Sequence, residues 1–379
     1  MGTDCVKYDG LEKYFGRCDL IPLWVADMDF RTPDFIVDAL KKRCEHPIFG
    51  YSFSMDRCFD SIICWLHELH GWNVRREWLS YIPGIVKGIA FILDHYTRKG
   101  DKVIIQPPVY HPFRIVAKKL QREVVYNPLR LVHDRYEMDF EQLESVIDKN
   151  CKVLILASPH NPAGVVWEKE TLQKLAEICF RNQLIVISDE IHSEMVYPGC
   201  THHPFPTVSD EAAQCSITLS APSKTFNIAG IVSSYAIVPN DKLRDEFYSF
   251  LEAGEFNQGT IFAYEATKAA YTHGAEWRRQ MLEYVRGNVR YVDEYLQTHI
   301  PQIKMYPPQS SFLIWLDCRG LKLTQPELVS LFKDKAGLAL NNGTMFGQEG
   351  NGFMRLNVGC PRTTIEKALN TLRTSMETN

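Results

Sequence analysis

The sequence predicts an α/β fold: a large unit built on a mostly parallel sheet between helices, with a smaller α+β unit beside it. Three observations carry this. First, short apolar runs alternate with segments of helical length and spacing; the runs are Val103-Ile104-Ile105, Glu123-Val124-Val125-Tyr126, Val153-Leu154-Ile155-Leu156-Ala157 and Leu184-Ile185-Val186-Ile187. That alternation is the signature of parallel strands covered on both faces. Second, the later runs end in chemistry-bearing residues. Ser158-Pro159-His160-Asn161-Pro162 follows 153–157, Ser188-Asp189-Glu190-Ile191-His192 follows 184–187, and Ser220-Ala221-Pro222-Ser223-Lys224 follows Ile217–Leu219. In open α/β sheets, ligands sit outside the carboxyl ends of the strands. Third, about the last hundred residues change character, with fewer strands, a glycine-rich loop at 341–352 and a closing helix.

Bulk properties exclude several classes. At 379 residues, 45% hydrophobic and 23% charged, the chain is long enough for two cored units. A net charge of −4 leaves no electrostatic footprint for nucleic acid or an anionic membrane. No apolar run approaches the roughly 18 residues of a membrane span. The eleven cysteines are scattered with no C-x-x-C pair, which suits free thiols. The opening Met-Gly-Thr-Asp-Cys-Val has no signal-like apolar region, so a cytoplasmic location is expected.

Taken in order, Trp24-Val25-Ala26-Asp27-Met28-Asp29-Phe30 is a dense apolar run with two carboxylates, read as a surface turn or an entrance strand. If extended, it would point Asp27 and Asp29 the same way. Thr32-Pro33-Asp34 is expected to cap a helix over 35–43. Gly50-Tyr51-Ser52 breaks the chain before a helix over 55–70. The His67-Glu68-Leu69-His70 run has i,i+3 histidines and no third ligand, so it reads as a solvated helix face rather than a metal site. Pro83-Gly84 opens a helix through about Arg98, leaving the N–H groups at Gly84, Ile85 and Val86 free for an anion. Further helices are expected at 113–120, 140–149 and 170–182. The region 230–259 is mixed, and a long helical region, 261–299, breaks near Gly274. Strand 312–316, helix 325–335, strand 354–358 and helix 362–376 complete the chain.

Lys224 sits among small residues and a proline just past a strand, with no carboxylate near it in sequence. Burial disfavours its ammonium form, which frees a neutral amine to act as nucleophile or base, as a Schiff-base lysine requires.

Together, Ser223-Lys224-Thr225-Phe226, Asn161-Pro162-Ala163-Gly164, Asp189-Glu190-Ile191-His192 and Met354-Arg355-Leu356-Asn357-Val358-Gly359 resemble the fold-type I pyridoxal-phosphate (PLP) enzymes, the aspartate aminotransferase superfamily. The run 24–30 with 158–164 and 189–192 is similar to the MalY/PatB-type branch of cystathionine β-lyases and C–S lyases. The resemblance implies residues 45–280 as the cofactor-binding domain, with 1–44 and 281–379 as the small domain. It implies that Lys224 carries pyridoxal 5′-phosphate, that Asp189 pairs with the pyridine nitrogen, and that Tyr110 stacks on the ring. Asn161 and His192 would reach the ring's 3-oxygen side, while Gly84, Ile85, Val86 and Ser223 would hold the phosphate. Arg355 would fork onto a substrate carboxylate, with Asn161, Asp27 and Tyr51 also at the substrate. Tyr51 would come from the second copy of a homodimer with shared sites.

Two positions depart from many relatives: a phosphate-gripping arginine is replaced by Val232, and a serine by Ala221. The implied activity is a PLP-dependent C–S lyase that releases pyruvate, ammonia and a thiol from an amino-acid substrate. An aminotransferase on the same scaffold is the second reading and a PLP-binding regulatory protein the third. Trp24, Phe30, Tyr51 and Trp167 are the expected apolar lining of the pocket.

Overall fold

The computed structural model describes residues 2–51 and 56–377; the Ser52 and Met55 ends of the expected break and helix lie outside the described residues. Seven strands form the sheet that carries the site. They are β1 (Leu79–Ile82), β2 (Lys102–Ile105), β3 (Glu123–Tyr126), β4 (Cys151–Ala157), β5 (Ile185–Asp189), β6 (Ser216–Ser220) and β7 (Ser234–Ile237). Their spatial order is β1-β7-β6-β5-β4-β2-β3. Strand β7 runs antiparallel to both neighbours, and every other adjacent pair is parallel. It follows that β1 points the same way as the parallel five. Six strands therefore end at one edge of the sheet, and β7 begins there.

The apolar runs become strands because they can bury both faces. Ile104, Leu154, Leu156 and Val186 enter one core cluster, while Val103, Ile105, Val153, Ile155 and Ile187 enter the opposite one. This is the period-two alternation of a strand. Each fully buried side chain of this kind contributes about 1.5–3 kcal/mol, which fixes the register that places Asp189 beside Ala157 at the sheet edge.

The expected 261–299 helical region is two helices, Ile261–His273 and Ala275–His299. Gly274 separates them, at a position where a Cβ would collide with the Ala270 carbonyl and with the ring of Phe226, in the lysine segment. Beyond them a second sheet is wholly antiparallel: β8 (Lys304–Met305), β9 (Leu313–Asp317), β10 (Asn341–Asn342) and β11 (Phe353–Asn357), in the order β8-β9-β11-β10. Val285, Val289, Val292 and Leu296 share a core cluster with Ile365, Leu369 and Leu372 of the helix Arg362–Glu377 and with Leu316, Met354 and Leu356 of the sheet. Their spacing of three and four is the apolar stripe of a helix packed on one side.

Some local expectations change. No strand forms at 24–30; only Ile21–Pro22 pairs, in parallel with Leu338–Ala339. The helix Asp34–Cys44 has Pro33 at its N-cap, and Thr32 instead donates to the carbonyl of Asn227. Two strands, β1 and β7, and the helix Asp241–Ala253 lie in stretches without a clear sequence reading.

Candidate active site

The shared sheet edge opens onto a cavity of about 370 Å³. Each wall comes from a strand end. Strand β1 leads to Gly84, Ile85 and Val86, β4 to Asn161, β5 to Asp189 and His192, and β6 to Ser223 and Lys224; Tyr110 comes from the loop after β2. Ser233 and Ser234, from the start of β7, complete the ring, together with Ala26 and Lys87.

Asp189 is the last residue of β5 and is buried. Its Oδ1 accepts a hydrogen bond from the Ile191 N–H at 3.2 Å. Burial pushes its carboxyl up to about 7, the Glu190 charge adds to that, and the Ile191 N–H and Lys224 pull the other way. Lys224 Nζ donates to the Ala26 carbonyl at 2.7 Å and lies 3.9 Å from Asp27 Oδ1. Burial lowers the amine's pKa; Asp27 opposes this, Arg355 reinforces it and Asp189 opposes it. A carboxylate and an amine thus face one cavity, each biased toward its neutral form.

His192 is buried with an unpartnered Nδ1. Burial, then Lys224 and Arg355, push it down to about 3, so the imidazole is neutral. Tyr110 packs edge-on against Phe113, with ring centroids 5.7 Å apart. Burial raises its phenol, as does the nearby Asp189 charge.

Arg355, on β11, does not line the cavity but is joined to it through Asn161. Its Nη1 donates to Asn161 Oδ1 at 3.0 Å, and its Nη2 to Asn341 Oδ1 at 2.7 Å and the Trp24 carbonyl at 3.1 Å. All three acceptors are neutral, and Nε is buried without a partner. Burial draws the guanidinium down to about 10. A buried cation held only by neutral groups favours an incoming carboxylate.

At the other end, Gly84 stands at φ 112 and the helix Ile85–Tyr96 begins with no side-chain cap. Its first N–H groups have no intrahelical acceptor and, with the helix dipole, favour an anion there. Buried Ser223 lines this part of the cavity, as does Ser233, whose hydroxyl bonds that of Thr267. Val232 takes the left-handed region at φ 56, and its carbonyl accepts from the Tyr81 hydroxyl at 2.7 Å. For a β-branched residue that conformation is strained.

Tyr51 is expected from a second copy, and Asp27 at the substrate. Tyr51 is fully exposed and does not line its own chain's cavity. Asp27 faces the amine of Lys224, while Asp29 turns away to the buried Lys7 at 2.9 Å. The two carboxylates therefore do not act as a pair. Nor do the expected apolar residues line the cavity. Trp24 donates to the Lys7 carbonyl, Trp167 donates to that of Ala157, and Phe30 packs against Tyr284. His67 is exposed, and His70 packs against His202, with ring centroids 5.1 Å apart. Among the described residues, no group of three or more His, Cys, Asp or Glu could hold a metal ion.

Asn227 was not among the expected site residues. Its Nδ2 donates to the Met28 and Phe30 carbonyls and its Oδ1 accepts from the Met28 N–H, all at 2.9 Å, tying loop 26–30 to the lysine segment. Asn227→Ala is expected to lose about 2–4 kcal/mol of stability, at roughly 1 kcal/mol per hydrogen bond. A fall in urea midpoint at unchanged slope would show it; an unchanged midpoint would mean that the loop holds itself.

These residues fit pyridoxal phosphate. A buried carboxyl without a cationic partner suits a protonated ring nitrogen. The amine suits its aldehyde, the aromatic face of Tyr110 its ring, and the open helix start its phosphate.

The sequence profile described as "Aminotransferase class I and II" matches residues 20–372. The chain is 39% identical over 377 residues to cystathionine beta-lyase PatB of Bacillus subtilis (strain 168), covering 99% of this chain and 97% of that one. It is 33% identical to Protein MalY of Escherichia coli (strain K12), covering 97% and 94%. The crystal structure of cystalysin from Treponema denticola, which contains a pyridoxal 5′-phosphate cofactor, superposes with a TM-score of 0.96 at 31% identity, covering 100% of this chain and 96% of that one.

Proposed function

Because this chain belongs to the class I and II aminotransferase family, we propose that it is a pyridoxal-phosphate-dependent C–S lyase of the cystathionine beta-lyase kind. The joint placement of Lys224 and Asp189 at one cavity carries the cofactor chemistry; 39% identity to a cystathionine beta-lyase over nearly the full length carries the choice of reaction.

Pyridoxal phosphate, when bound, supplies an electron sink for the carbanion left when a proton departs from the substrate Cα. The chain's own residues do the rest. Lys224 would hold the cofactor through its aldehyde, Asp189 would keep the ring nitrogen protonated, and Tyr110 would cover the ring face. Asn161 and His192 would orient the ring, with His192 neutral and so able to accept or donate a hydrogen bond. The helix start at Gly84–Val86, with Ser223 and Ser233, would hold the phosphate. No arginine stands at Val232 for this task.

Arg355 would bind the substrate's α-carboxylate and so fix which Cα bond faces Lys224. The Lys224 amine, biased toward its neutral form by burial, accepts the Cα proton as general base. Loss of the β-thiolate follows, and the balance is substrate plus water giving thiol, pyruvate and ammonia. The reading includes a homodimer, which the exposed apolar residues Ile48, Phe49 and Tyr51 support as a surface that a second copy would cover. The protein would work in the cytoplasm; no described helix is long and apolar enough to cross a membrane. The cofactor-binding domain would span 45–280, with 1–44 and 281–379 as the small domain. Helix Asp34–Cys44 would move to the larger domain, because Ile36 packs with Tyr264 and Ala270.

An aminotransferase on the same scaffold would need the same Lys224 and Asp189. One assay separates the two: purified holoenzyme given L-cystathionine and no keto acid should release pyruvate and thiol steadily. Product that appears only after a keto-acid acceptor is added would replace the lyase by the aminotransferase.

A further inference from the structure

The segment that carries Asp189 and His192 into the first cavity continues into the wall of a second, of about 870 Å³. Its lining includes His70, His202, His203, Arg278, Arg279 and Arg286, with Glu283 as the one carboxylate among the described lining residues. Arg279 is neutralised by Glu276 at 2.7 Å and Glu283 at 3.3 Å. His202 is taken by Glu190, at 2.8 Å. Arg278 donates its Nε to the carbonyl of Glu194, a neutral acceptor; Oε1 of the Glu194 carboxyl accepts from the Tyr271 hydroxyl at 2.6 Å, and Oε2 is buried without a partner. Arg286 makes no hydrogen bond or ion pair among the described residues. His70 adds a buried Nε2 that has no partner.

Two guanidinium groups thus face one concavity with no ion pair among the described residues; the Glu194 carboxyl acts on Arg278 from nearby, but burial favours its neutral form. Ordinary surface arginines are screened by water; here Arg278 is held in place by its bond to the backbone and is partly buried. Guanidinium forks match carboxylate and phosphate oxygens two at a time. The volume falls in the range of about 300–1,000 Å³ usual for small-molecule sites, which argues for a small ligand over a polypeptide. Arg278 and Arg286 are eight residues apart on the helix Ala275–His299, roughly 12 Å of rise. They reach the cavity from separated points, which favours a ligand with more than one anionic group.

We propose that this cavity binds a small multivalent oxyanion, bearing phosphate or carboxylate groups, between Arg278 and Arg286. The test is calorimetric titration of the cofactor-loaded enzyme with inorganic pyrophosphate and, separately, with citrate, at matched ionic strength. Loading the cofactor keeps the anion subsite at Gly84–Val86 out of the measurement. Saturable binding of at least one probe is expected, and the stronger of the two assigns the site to phosphate or to carboxylate. Arg286→Glu should weaken it about tenfold or more, equivalent to ~1.4 kcal/mol. The exposed, unpaired position of Arg286 lets the variant keep its unfolding temperature, which serves as the folding control. Failure of both probes to bind overturns the proposal, as does binding that Arg286→Glu leaves undiminished. Neither outcome bears on pyruvate release, so the lyase reading stands or falls separately.

Discussion

Replacing Lys224 by alanine should lower pyruvate release from L-cystathionine by roughly 10²–10⁴-fold or more, the range a positioned general base contributes. Its other role, covalent retention of the cofactor, adds to that loss. Lys224 makes one hydrogen bond, to the Ala26 carbonyl, and its mostly buried side chain lines the cavity, so alanine widens a space already open rather than leaving a sealed void. It also removes a buried amine whose charge is disfavoured, so the unfolding temperature should hold or rise. Two readouts separate the roles. Borohydride reduction should fix cofactor mass to the wild-type chain at Lys224 and leave the variant unlabelled. A small added amine, able to enter a cavity of about 370 Å³, should restore part of the turnover but none of the labelling. Turnover within a few-fold of wild type would deny Lys224 the role of base and favour a protein that binds the cofactor for regulation.

The legible part of this protein was the part written in local patterns. Val103 to Ile105 and Val153 to Ala157 are long enough in β-branched and apolar residues to declare buried strands, and both are. The amide, carboxylate and amine that follow three of the strands converge because parallel strands end at one edge. What stayed hidden depends on partners far away in the chain. Ser234-Tyr235-Ala236-Ile237 has no β-branched run, yet all four residues are buried, because β7 is clamped between β1 and β6. The helix Asp241–Ala253 did carry a signal, an Asn240 cap with Leu243, Phe247 and Leu251 spaced by four, inside a stretch otherwise read as mixed. Arg355 meets Asn341 through the pairing of β10 with β11 and Asn161 from the loop after β4, and no spacing announces either. Trp24 and Trp167, expected in the pocket lining, instead each give the indole N–H to a backbone carbonyl in the core.

Asp189→Asn should move catalysis and stability in opposite directions. The folded carboxyl has a pKa of about 7, whereas an unfolded aspartate ionises near its ordinary value of about 3.9. Between those values the native state of the cofactor-free protein holds a proton that the unfolded chain has released. Stability therefore falls as pH rises through that window and levels off above pH 7. The plateau penalty is of the order of a few kcal/mol, at ~1.4 kcal/mol per unit of pKa difference. Asparagine keeps an oxygen for the Ile191 N–H but has no charge to bury. Without cofactor, the variant should therefore match wild type near pH 4 and exceed it by a few kcal/mol at pH 8, in urea unfolding followed at both pH values. Parallel pH profiles for the two proteins would show that Asp189 is not the group being titrated. With cofactor the order reverses in function: a neutral amide cannot hold the ring nitrogen protonated, and turnover should drop by roughly 10²–10³-fold, the scale of losing one preorganised electrostatic partner. The carboxylate thus weakens the empty protein at neutral pH in proportion to how strongly it would welcome a cation at that position.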